Sequence, residues 1–361
     1  MSSVPRRMLC AVFALLLAAG NMPCHAASPD VSASAYVLMD AESGRVLLAK
    51  NETQELPIAS TTKIMTALLA LRHGRLTDRV TVRREHLREG SSMYLAEGET
   101  LTLEALLYGL MLSSGNDAAE CIADHCGGTE RFVRRMNETA AELGMTHTSF
   151  ANPSGLDAEG HRSCALDMAR LMAHAMRDPA FARIVSTATA SAGTRVMTNH
   201  NKLLGAACGC IGGKTGYTDA AGRTLVTCAE RGGLRLVAVT LRDGNDWKDH
   251  AALYEYGFSA YRSERVLTRG EVCALAAVRG GEMSCVALKA AESVCWPLAE
   301  GEALTLRVEL PDAVAAPVKT GQTLGEAAVL LDGAEVGRAA LVAAESVRAA
   351  GTKKPRLWRI R

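Results

Sequence analysis

The chain has 361 residues, 40 Lys and Arg against 39 Asp and Glu, and 48% hydrophobic residues, which is enough for two domains with buried cores. The charge balance gives no overall field to attract nucleic acid, and aromatic residues make up only 4% of the chain. Phosphate binding needs an excess of positive charge and base stacking needs aromatic side chains, so the composition argues against a nucleic-acid partner.

The first 26 residues have the pattern of a secretory signal peptide. Arg6 and Arg7 precede an apolar run from residue 8 to residue 19, and small residues then favour cleavage between Ala26 and Ala27. The alternative is an uncleaved anchor helix, but the run is short for a membrane span. We therefore expect a protein that is secreted to the periplasm or the cell exterior.

Strands and helices alternate along the remaining chain with distinct periods. Residues 35–39 and 45–50 read as two strands joined by a turn, and the apolar spacing after them predicts a helix from about Ser60 to Gly74. Further helices are predicted at 103–112, 118–126, 130–143, 165–177 and 250–261, and a hairpin around Gly232-Gly233 precedes the last of them.

Strands at both ends of a helical middle predict an α+β fold with an antiparallel sheet flanked by helices. After about residue 263, short Val, Leu and Ala runs broken by Gly and Pro predict a small all-β domain. The expected boundaries are 1–26 for the signal, 27–262 for the first domain, 263–350 for the second and 351–361 for a basic tail. The tail is compatible with contact to an anionic membrane surface, and a solvated terminus fits it equally well.

Nine cysteines follow the signal, and their number and spacing give little guidance. The count is odd and no Cys-x-x-Cys pair occurs, so neither a complete disulfide framework nor a structural zinc site is indicated. Buried, apolar cysteines are the preferred interpretation, and the pairing of any disulfide stays open.

The first candidate site element is Ser60-Thr61-Thr62-Lys63. A serine at a helix start with a lysine three residues later has both side chains on one face, so Lys63 can take the proton of a Ser60 nucleophile. A capped helix with a solvated lysine is the alternative.

The second element is Ser114-Gly115-Asn116, a polar interruption between two apolar helical stretches. Ser114 can relay a proton and Asn116 can hold a substrate amide, although an ordinary interhelix turn explains the segment as well.

The third element is Lys214-Thr215-Gly216, which is expected at the start of a strand on the edge of the sheet. A lysine and a hydroxyl there can bind a carboxylate, and Gly216 lets a substrate approach the backbone. The same tripeptide recurs at residues 319–321, after Pro317 and before a glycine-punctuated run, which predicts a surface turn of the second domain. We therefore assign the chemistry to the first copy.

The three elements in this order resemble those of β-lactamases and penicillin-binding proteins, with Gly115 in place of the usual Asp. Four further segments, "GSSMYL", "FANPSGLD", "HRSCALDMARL" and "NHNKLL", are similar to the serine-type D-alanyl-D-alanine carboxypeptidases, the low-molecular-weight penicillin-binding proteins. The resemblance is strong over residues 30–262 and weaker over the β domain.

The resemblance implies an enzyme that removes the terminal D-alanine from peptidoglycan stem peptides and is associated with the cell wall. Ser60 would form the acyl-enzyme with Lys63 as general base, whose pKa Lys214 and burial would lower. The backbone N-H groups of Ser60 and Tyr217 would stabilise the oxyanion.

The resemblance also implies that Ser114 passes a proton to the leaving group and that Asn116 holds the peptide. Lys214, Thr215 and Gly216 would bind the terminal carboxylate, with no metal or cofactor. β-Lactams would acylate Ser60.

Two other functions are compatible with parts of the pattern. A β-lactamase would need a glutamate-held water, but the loop after "NPSGL" follows the carboxypeptidase pattern and Gly115 replaces the Asp. A catalytically silent protein that binds stem peptides is the second alternative, and the intact Ser60, Lys63 and Lys214 argue against it.

Overall fold

The computed structural model describes residues 27–351, so the predicted signal peptide and nearly all of the basic tail lie outside the described residues. Residues 27–262 and 263–351 form two compact units. Among the described residues, no helix combines the length and the apolar character that a membrane span requires.

The first unit combines seven α-helices with nine strands in the described range. Its helices are α1 Lys63–His73, α2 Leu103–Leu112, α3 Asn116–His125, α4 Thr129–Glu142, α5 Ala165–Ala175, α6 Pro179–Ser186 and α7 Asp246–Ala260. Its strands are β1 Ala35–Asp40, β2 Val46–Lys50, β3 Arg79–Thr81, β4 Thr100–Thr102, β5 Thr189–Ala192, β6 Arg195–Thr198, β7 Cys210–Thr218, β8 Gly222–Arg231 and β9 Leu234–Leu241.

The central sheet of this unit has five strands in the order β2-β1-β9-β8-β7, and every neighbouring pair is antiparallel. Helices cover both faces. Val37 and Met39 of β1 belong to the core that includes α5, whereas Leu38 lies with Leu253 and Tyr254 of α7 in the core on the other face. Because both faces are buried, β1 is apolar along nearly its whole length rather than alternating with polar residues.

The predicted α+β fold is confirmed, and several element boundaries differ from the prediction. A 3₁₀ turn at Ala59–Thr62 precedes α1, so the α-helix begins at Lys63 rather than at Ser60. Helix α7 begins at Asp246, ahead of the predicted start at residue 250. Lys214 is the fifth residue of β7 and not near its start, but β7 is an edge strand as expected.

The second unit consists of strands, with no helix between residues 263 and 351. The strands are β10 Tyr261–Leu267, β11 Val272–Arg279, β12 Cys285–Ala290, β13 Val294–Ala299, β14 Leu304–Glu309, β15 Val314–Ala315, β16 Thr323–Leu331 and β17 Ala334–Ala343. Six of them form a sheet in the order β14-β16-β17-β12-β11-β15, and β10 pairs with β13. The all-β architecture predicted for this part of the chain is confirmed.

All nine cysteines in the described range are unpaired. Six are buried, which agrees with their interpretation as small apolar side chains. Burial raises the pKa of the Cys121 thiol to about 12, so it is a poor nucleophile despite lying 3.1 Å from Nδ1 of His86.

Candidate active site

Ser60 lies on a tight, strained turn that its neighbours hold in place. The preceding Ala59 has φ of 47°, a left-handed conformation that a non-glycine residue adopts at a cost of about 1 to 2 kcal/mol. Gly155 packs directly against this turn, and a Cβ on it would lie 1.9 Å from the carbonyl oxygen of Ala59. Strain of this kind persists where the surrounding structure enforces it, and it fixes the position of the Ser60 hydroxyl.

The amine of Lys63 is buried beside the Ser60 hydroxyl. Its Nζ lies 2.9 Å from Oγ of Ser60, 2.8 Å from Oδ1 of Asn116 and 2.5 Å from the carbonyl oxygen of Ser154. The side chain is completely inaccessible to solvent. Burial, and secondarily the charge of Lys214, lower the pKa of Lys63 well below its ordinary value, so the neutral amine is favoured.

The partners of Lys63 determine where its lone pair points when the amine is neutral. The carbonyl of Ser154 and Oδ1 of Asn116 can only accept hydrogen bonds, and the Asn116 orientation is set because its Nδ2 donates to the carbonyl of Glu89 at 2.8 Å. A neutral amine therefore uses its two N-H groups on these two oxygens. Its lone pair is left to accept the proton of the Ser60 hydroxyl.

Lys214 and Ser114 form a second amine and hydroxyl pair. Nζ of Lys214 lies 3.1 Å from Oγ of Ser114 and donates to the carbonyl of Thr215 at 2.8 Å. Lys214 is 1% exposed, and burial lowers its pKa to about 7. Ser114, like Ala59, has a left-handed backbone conformation, with φ of 58°.

The edge strand β7 runs alongside the Ser60 turn at Gly216. A Cβ on Gly216 would lie 2.4 Å from Oγ1 of Thr224 and 3.1 Å from the backbone N of Ser60. Thr224 also donates to the carbonyl of Ile58 at 3.2 Å, which ties the turn to the sheet. A glycine is therefore required at 216 by this close approach of two backbones.

A cleft of about 420 Å³ opens between these elements. Five of the eight predicted site residues line it, whereas the other three, Lys63, Asn116 and Lys214, are buried behind its wall. Tyr217 is 63% exposed at its rim. The lining residues are Ser60, Ser91, Ser114, His200, Lys202, Thr215, Gly216, Tyr217, Arg223, Asp246 and Trp247.

Several residues of the site had no role assigned from the sequence. The carbonyl of Ser154 reaches Lys63 from the segment "FANPSGLD", and Asp117 accepts hydrogen bonds from Ser92, Met93 and Leu95, which holds the "GSSMYL" segment beside the cleft. The acidic Asp117, which directly follows Ser114-Gly115-Asn116, was a sequence signal for the contact with the "GSSMYL" segment. A backbone carbonyl gives no sequence signal, because every residue has one.

His161 and Asp167 make hydrogen bonds within the fold and do not line the cleft. His161 lies 2.8 Å from Oγ1 of Thr62 through Nε2, and burial lowers its pKa to about 4. Asp167 accepts hydrogen bonds from the backbone N of His147 and the hydroxyl of Thr148. Within residues 27–351, no group of three or more His, Cys, Asp or Glu side chains is arranged to hold a metal ion.

The sequence of the chain matches known families over nearly its whole length. Residues 22–245 match the peptidase S11 family, described as D-alanyl-D-alanine carboxypeptidase, and residues 261–349 match the C-terminal domain of penicillin-binding protein 5. The D-alanyl-D-alanine carboxypeptidase DacF of Bacillus subtilis is 32% identical over 88% of this chain and 87% of its own length. DacC of Escherichia coli is 32% identical over 90% of this chain and 86% of its own length.

Solved structures give the same result. Penicillin binding protein 5 from Haemophilus influenzae superposes with a TM-score of 0.77 at 30% identity, covering 91% of this chain and 100% of that one. The D-alanyl-D-alanine carboxypeptidase from Mycobacterium tuberculosis has a TM-score of 0.62 at 37% identity over 67% of this chain and 95% of its own. The chain therefore belongs to the D-alanyl-D-alanine carboxypeptidase family of serine-type hydrolases and carries a penicillin-binding protein 5 C-terminal domain.

Proposed function

We propose that this enzyme removes the terminal D-alanine from peptidoglycan stem peptides through an acyl-enzyme on Ser60, and that penicillin acylates the same hydroxyl. The observation that carries the proposal is the hydrogen-bond geometry of Lys63, whose two carbonyl acceptors leave its lone pair for the Ser60 hydroxyl at 2.9 Å. A buried amine with a lowered pKa is the general base that a serine nucleophile needs near neutral pH.

In the acylation step, Oγ of Ser60 attacks the carbonyl carbon of the bond between the two terminal D-alanines while Lys63 takes the hydroxyl proton. The negative charge on the carbonyl oxygen is stabilised by the backbone N-H groups of Ser60 and Tyr217, a role supported by the close approach of Gly216 to the Ser60 amide. The carbon-nitrogen bond then breaks as the leaving amine receives a proton.

Ser114 delivers that proton, and Lys214 assists it. The 3.1 Å contact between the two side chains and the lowered pKa of Lys214, about 7, support a relay that donates and regains a proton near neutral pH. Water then attacks the acyl carbon and gives a proton to the Ser114–Lys214 pair, while Lys63 returns its proton to Oγ of Ser60. The ester bond breaks, the hydrolysed peptide leaves, and both lysines regain their starting protonation states. The step needs no metal or cofactor.

Thr215 binds the terminal carboxylate, because its side chain faces the cleft next to Ser60 on the open edge of β7. Lys214 contributes its positive potential from behind the strand. Asn116 orients Lys63, to which its Oδ1 is hydrogen-bonded, and the hold on a substrate amide falls to the second lone pair of the same oxygen.

We further propose that residues 1–26 direct secretion and that the mature domains are 27–262 and 263–350. A peptidoglycan substrate requires action outside the cytoplasmic membrane, in the periplasm or at the cell wall. Contact of the tail at 351–361 with the membrane is part of the same proposal and concerns residues that lie almost wholly outside the described range.

Mass spectrometry of the mature chain after incubation with benzylpenicillin, followed by peptide mapping, tests the proposal. We expect one stable adduct on the Ser60 peptide and none in Ser60→Ala, together with release of D-alanine from a D-Ala-D-Ala peptide. Rapid turnover of penicillin without a lasting adduct would indicate a β-lactamase. The absence of both adduct and D-alanine release would indicate a silent binding protein.

A further inference from the structure

Two buried aspartates near the start of α7 have no part in the proposed mechanism. Asp243 lies between β9 and α7 and is 2% exposed, and Asp249 of α7 is 3% exposed. Both contact Ser32, in the segment that leads into β1. A buried carboxylate costs free energy unless its charge is compensated, so the groups around this pair decide its chemical state.

The contacts of Ser32 need one more hydrogen than two ionised carboxylates leave available. Oγ of Ser32 lies 2.9 Å from Oδ1 of Asp243 and 2.7 Å from Oδ2 of Asp249, and the backbone N of Ser32 donates to the same Oδ2 at 2.7 Å. A hydroxyl group has one hydrogen to donate, and an ionised carboxylate can only accept. One of the two Oγ contacts therefore requires a hydrogen that a carboxyl group supplies.

The second oxygen of Asp243 is independent evidence for a neutral carboxyl group. Its Oδ2 is buried and has no hydrogen-bond partner among residues 27–351, whereas Oδ1 accepts from the backbone N of Asn245 at 2.8 Å. A carboxylate oxygen that is buried without a partner costs more free energy than the same oxygen of a neutral acid.

The cations near this pair have other partners. Arg223 of β8 is paired with Asp246 at 2.5 Å, and the guanidinium of Arg242 donates to a backbone carbonyl at 3.0 Å. Within residues 27–351, no ion pair involves Asp243 or Asp249. A salt bridge therefore does not compensate the two carboxylates.

The histidine of α7 that lies closest in sequence to this pair is neutral. The two ring nitrogens of His250 lie 2.7 Å from the hydroxyl of Thr227 and 3.1 Å from that of Thr240, and burial lowers the pKa of His250 to about 3. Burial, and to a smaller extent the charge of Asp249, raise the pKa of Asp243 above its ordinary value, in agreement with the hydrogen required at Ser32.

We propose that Asp243 and Asp249 share one proton across Ser32, and that this proton fastens residues 31–34 to the start of α7. The proposal goes beyond the proposed function and does not depend on it. The proton belongs to the pair rather than to one residue, because two carboxyl groups this close titrate together. Ser32 is exposed, so the proton can exchange with solvent.

The shared proton makes the hold on α7 sensitive to pH. Val31 and Ala33, on either side of Ser32, are buried in the core that α7 covers, so the segment itself stays in place. Once the proton is lost, two negative charges face one hydroxyl hydrogen, and the hydrogen bonds from Ser32 to α7 weaken. Asp246 and Trp247 of the first turn of α7 line the cleft, so the proton links pH to the cleft wall.

Denaturant unfolding of the mature chain from about pH 4 to about pH 8 tests the proposal with Asp243→Asn, which keeps the shape of a neutral acid and cannot ionise. An ordinary aspartate has a pKa of about 3.9, so above this pH the folded chain holds a proton that the unfolded chain has lost, and stability falls as pH rises. The ratio of the folding equilibrium constants, variant over unmodified chain, should rise about tenfold across this range and become constant once the pair has lost its proton.

Asp30→Asn is the control, since it removes an exposed carboxylate from the same segment, and its ratio should stay within about twofold. Hydrogen exchange of the Ser32 amide, which donates to Asp249, reports on the attachment itself. Exchange should accelerate with pH more steeply in the unmodified chain than in Asp243→Asn, and comparison at each pH removes the intrinsic pH dependence of exchange.

A ratio that is constant from pH 4 to pH 8 would overturn the proposal, because the pair would then be fully ionised in the folded chain. If Asp243→Asn does not fold, Asp249→Asn takes its place in the same comparison, with the same expected rise. Calcium that stabilises the unmodified chain at pH 5 and constant ionic strength, but not Asp243→Asn, would also overturn it, since a cation rather than a proton would then compensate the charges.

Discussion

The tripeptide Lys-Thr-Gly occurs twice in this chain, and the two copies have little in common beyond their letters. Lys214 lies within an edge strand, is 1% exposed, and has its amine bonded to Ser114. Lys319 lies in an exposed turn before β16 in the second unit, where the backbone of Thr320 donates to Oγ of Ser346. The fold thus gives the two copies different environments, and the buried lysine beside an open strand edge supports the chemistry proposed for the first copy.

Gly216 and Gly321, the glycines of the two copies, also differ in the reason why a glycine is needed. Gly216 is needed because the Ser60 turn approaches it too closely for a Cβ. Gly321 is needed because its φ is +80°, whereas the space around it is empty within 4 Å. One glycine permits contact between two elements and the other permits a turn.

The largest expected difference is between substitutions of Lys214 and Lys319, the lysines of the two copies. Lys214→Ala should lower kcat/KM for D-alanine release by about 100-fold or more, because it removes the proposed proton relay to Ser114 and the positive potential proposed for the carboxylate site. Lys319→Ala should leave kcat/KM within about twofold of the unmodified enzyme. Steady-state release of D-alanine from one peptide measures both, and a similar loss in the two variants would contradict the assignment of chemistry to the first copy.

A smaller effect is expected from the glycines. Gly216→Ala should slow acylation by benzylpenicillin about tenfold or more, because its methyl group would displace Thr224 and the Ser60 amide. Gly321→Ala should leave the acylation rate unchanged and lower the free energy of unfolding by about 1 kcal/mol, the cost of a left-handed alanine. Stopped-flow acylation and thermal unfolding separate the two outcomes, and normal acylation in Gly216→Ala would remove the argument for close approach.

A further effect, on stability rather than on rate, is a pH dependence due to Lys214. Its pKa is lowered to about 7 in the folded state, from an ordinary value of about 10.4. Between these values the unfolded chain binds a proton that the folded chain does not, so the free energy of unfolding should rise with pH, by at most about 1.4 kcal/mol per unit from this group. Below pH 7 this contribution is constant, since the lysine is protonated in both states.

Lys214→Met is the matched variant, since it keeps the aliphatic length and removes the titrating amine. Denaturant unfolding at several pH values from 7 to 9 should give a smaller slope for the variant than for the unmodified chain. Equal slopes would mean that Lys214 keeps its proton in the folded state.

The sequence predicted most of the first unit because its elements have strong local signals. Helix α2, with the predicted bounds Leu103–Leu112, is apolar and flanked by polar turn residues. Helix α6 was not predicted, although Asp178 caps it and Pro179 occupies its first turn, because eight residues give too short an apolar period to recognise. Helix α7 begins early because Asp246, whose charge suits a helix start, also pairs with Arg223 of β8.

By itself, the sequence determined the α+β fold, the all-β second unit, the carboxypeptidase family and the eight candidate site residues, because motif order and hydrophobic period are local properties of the chain. Only the tertiary structure decided which lysines are buried, that the carbonyl of Ser154 helps to fix the direction of the Lys63 lone pair, and that Lys202 faces the cleft with no counter-ion among residues 27–351. Burial and hydrogen-bond direction depend on residues far apart in sequence, so the chemical state of an amine emerges only when the chain has folded around it.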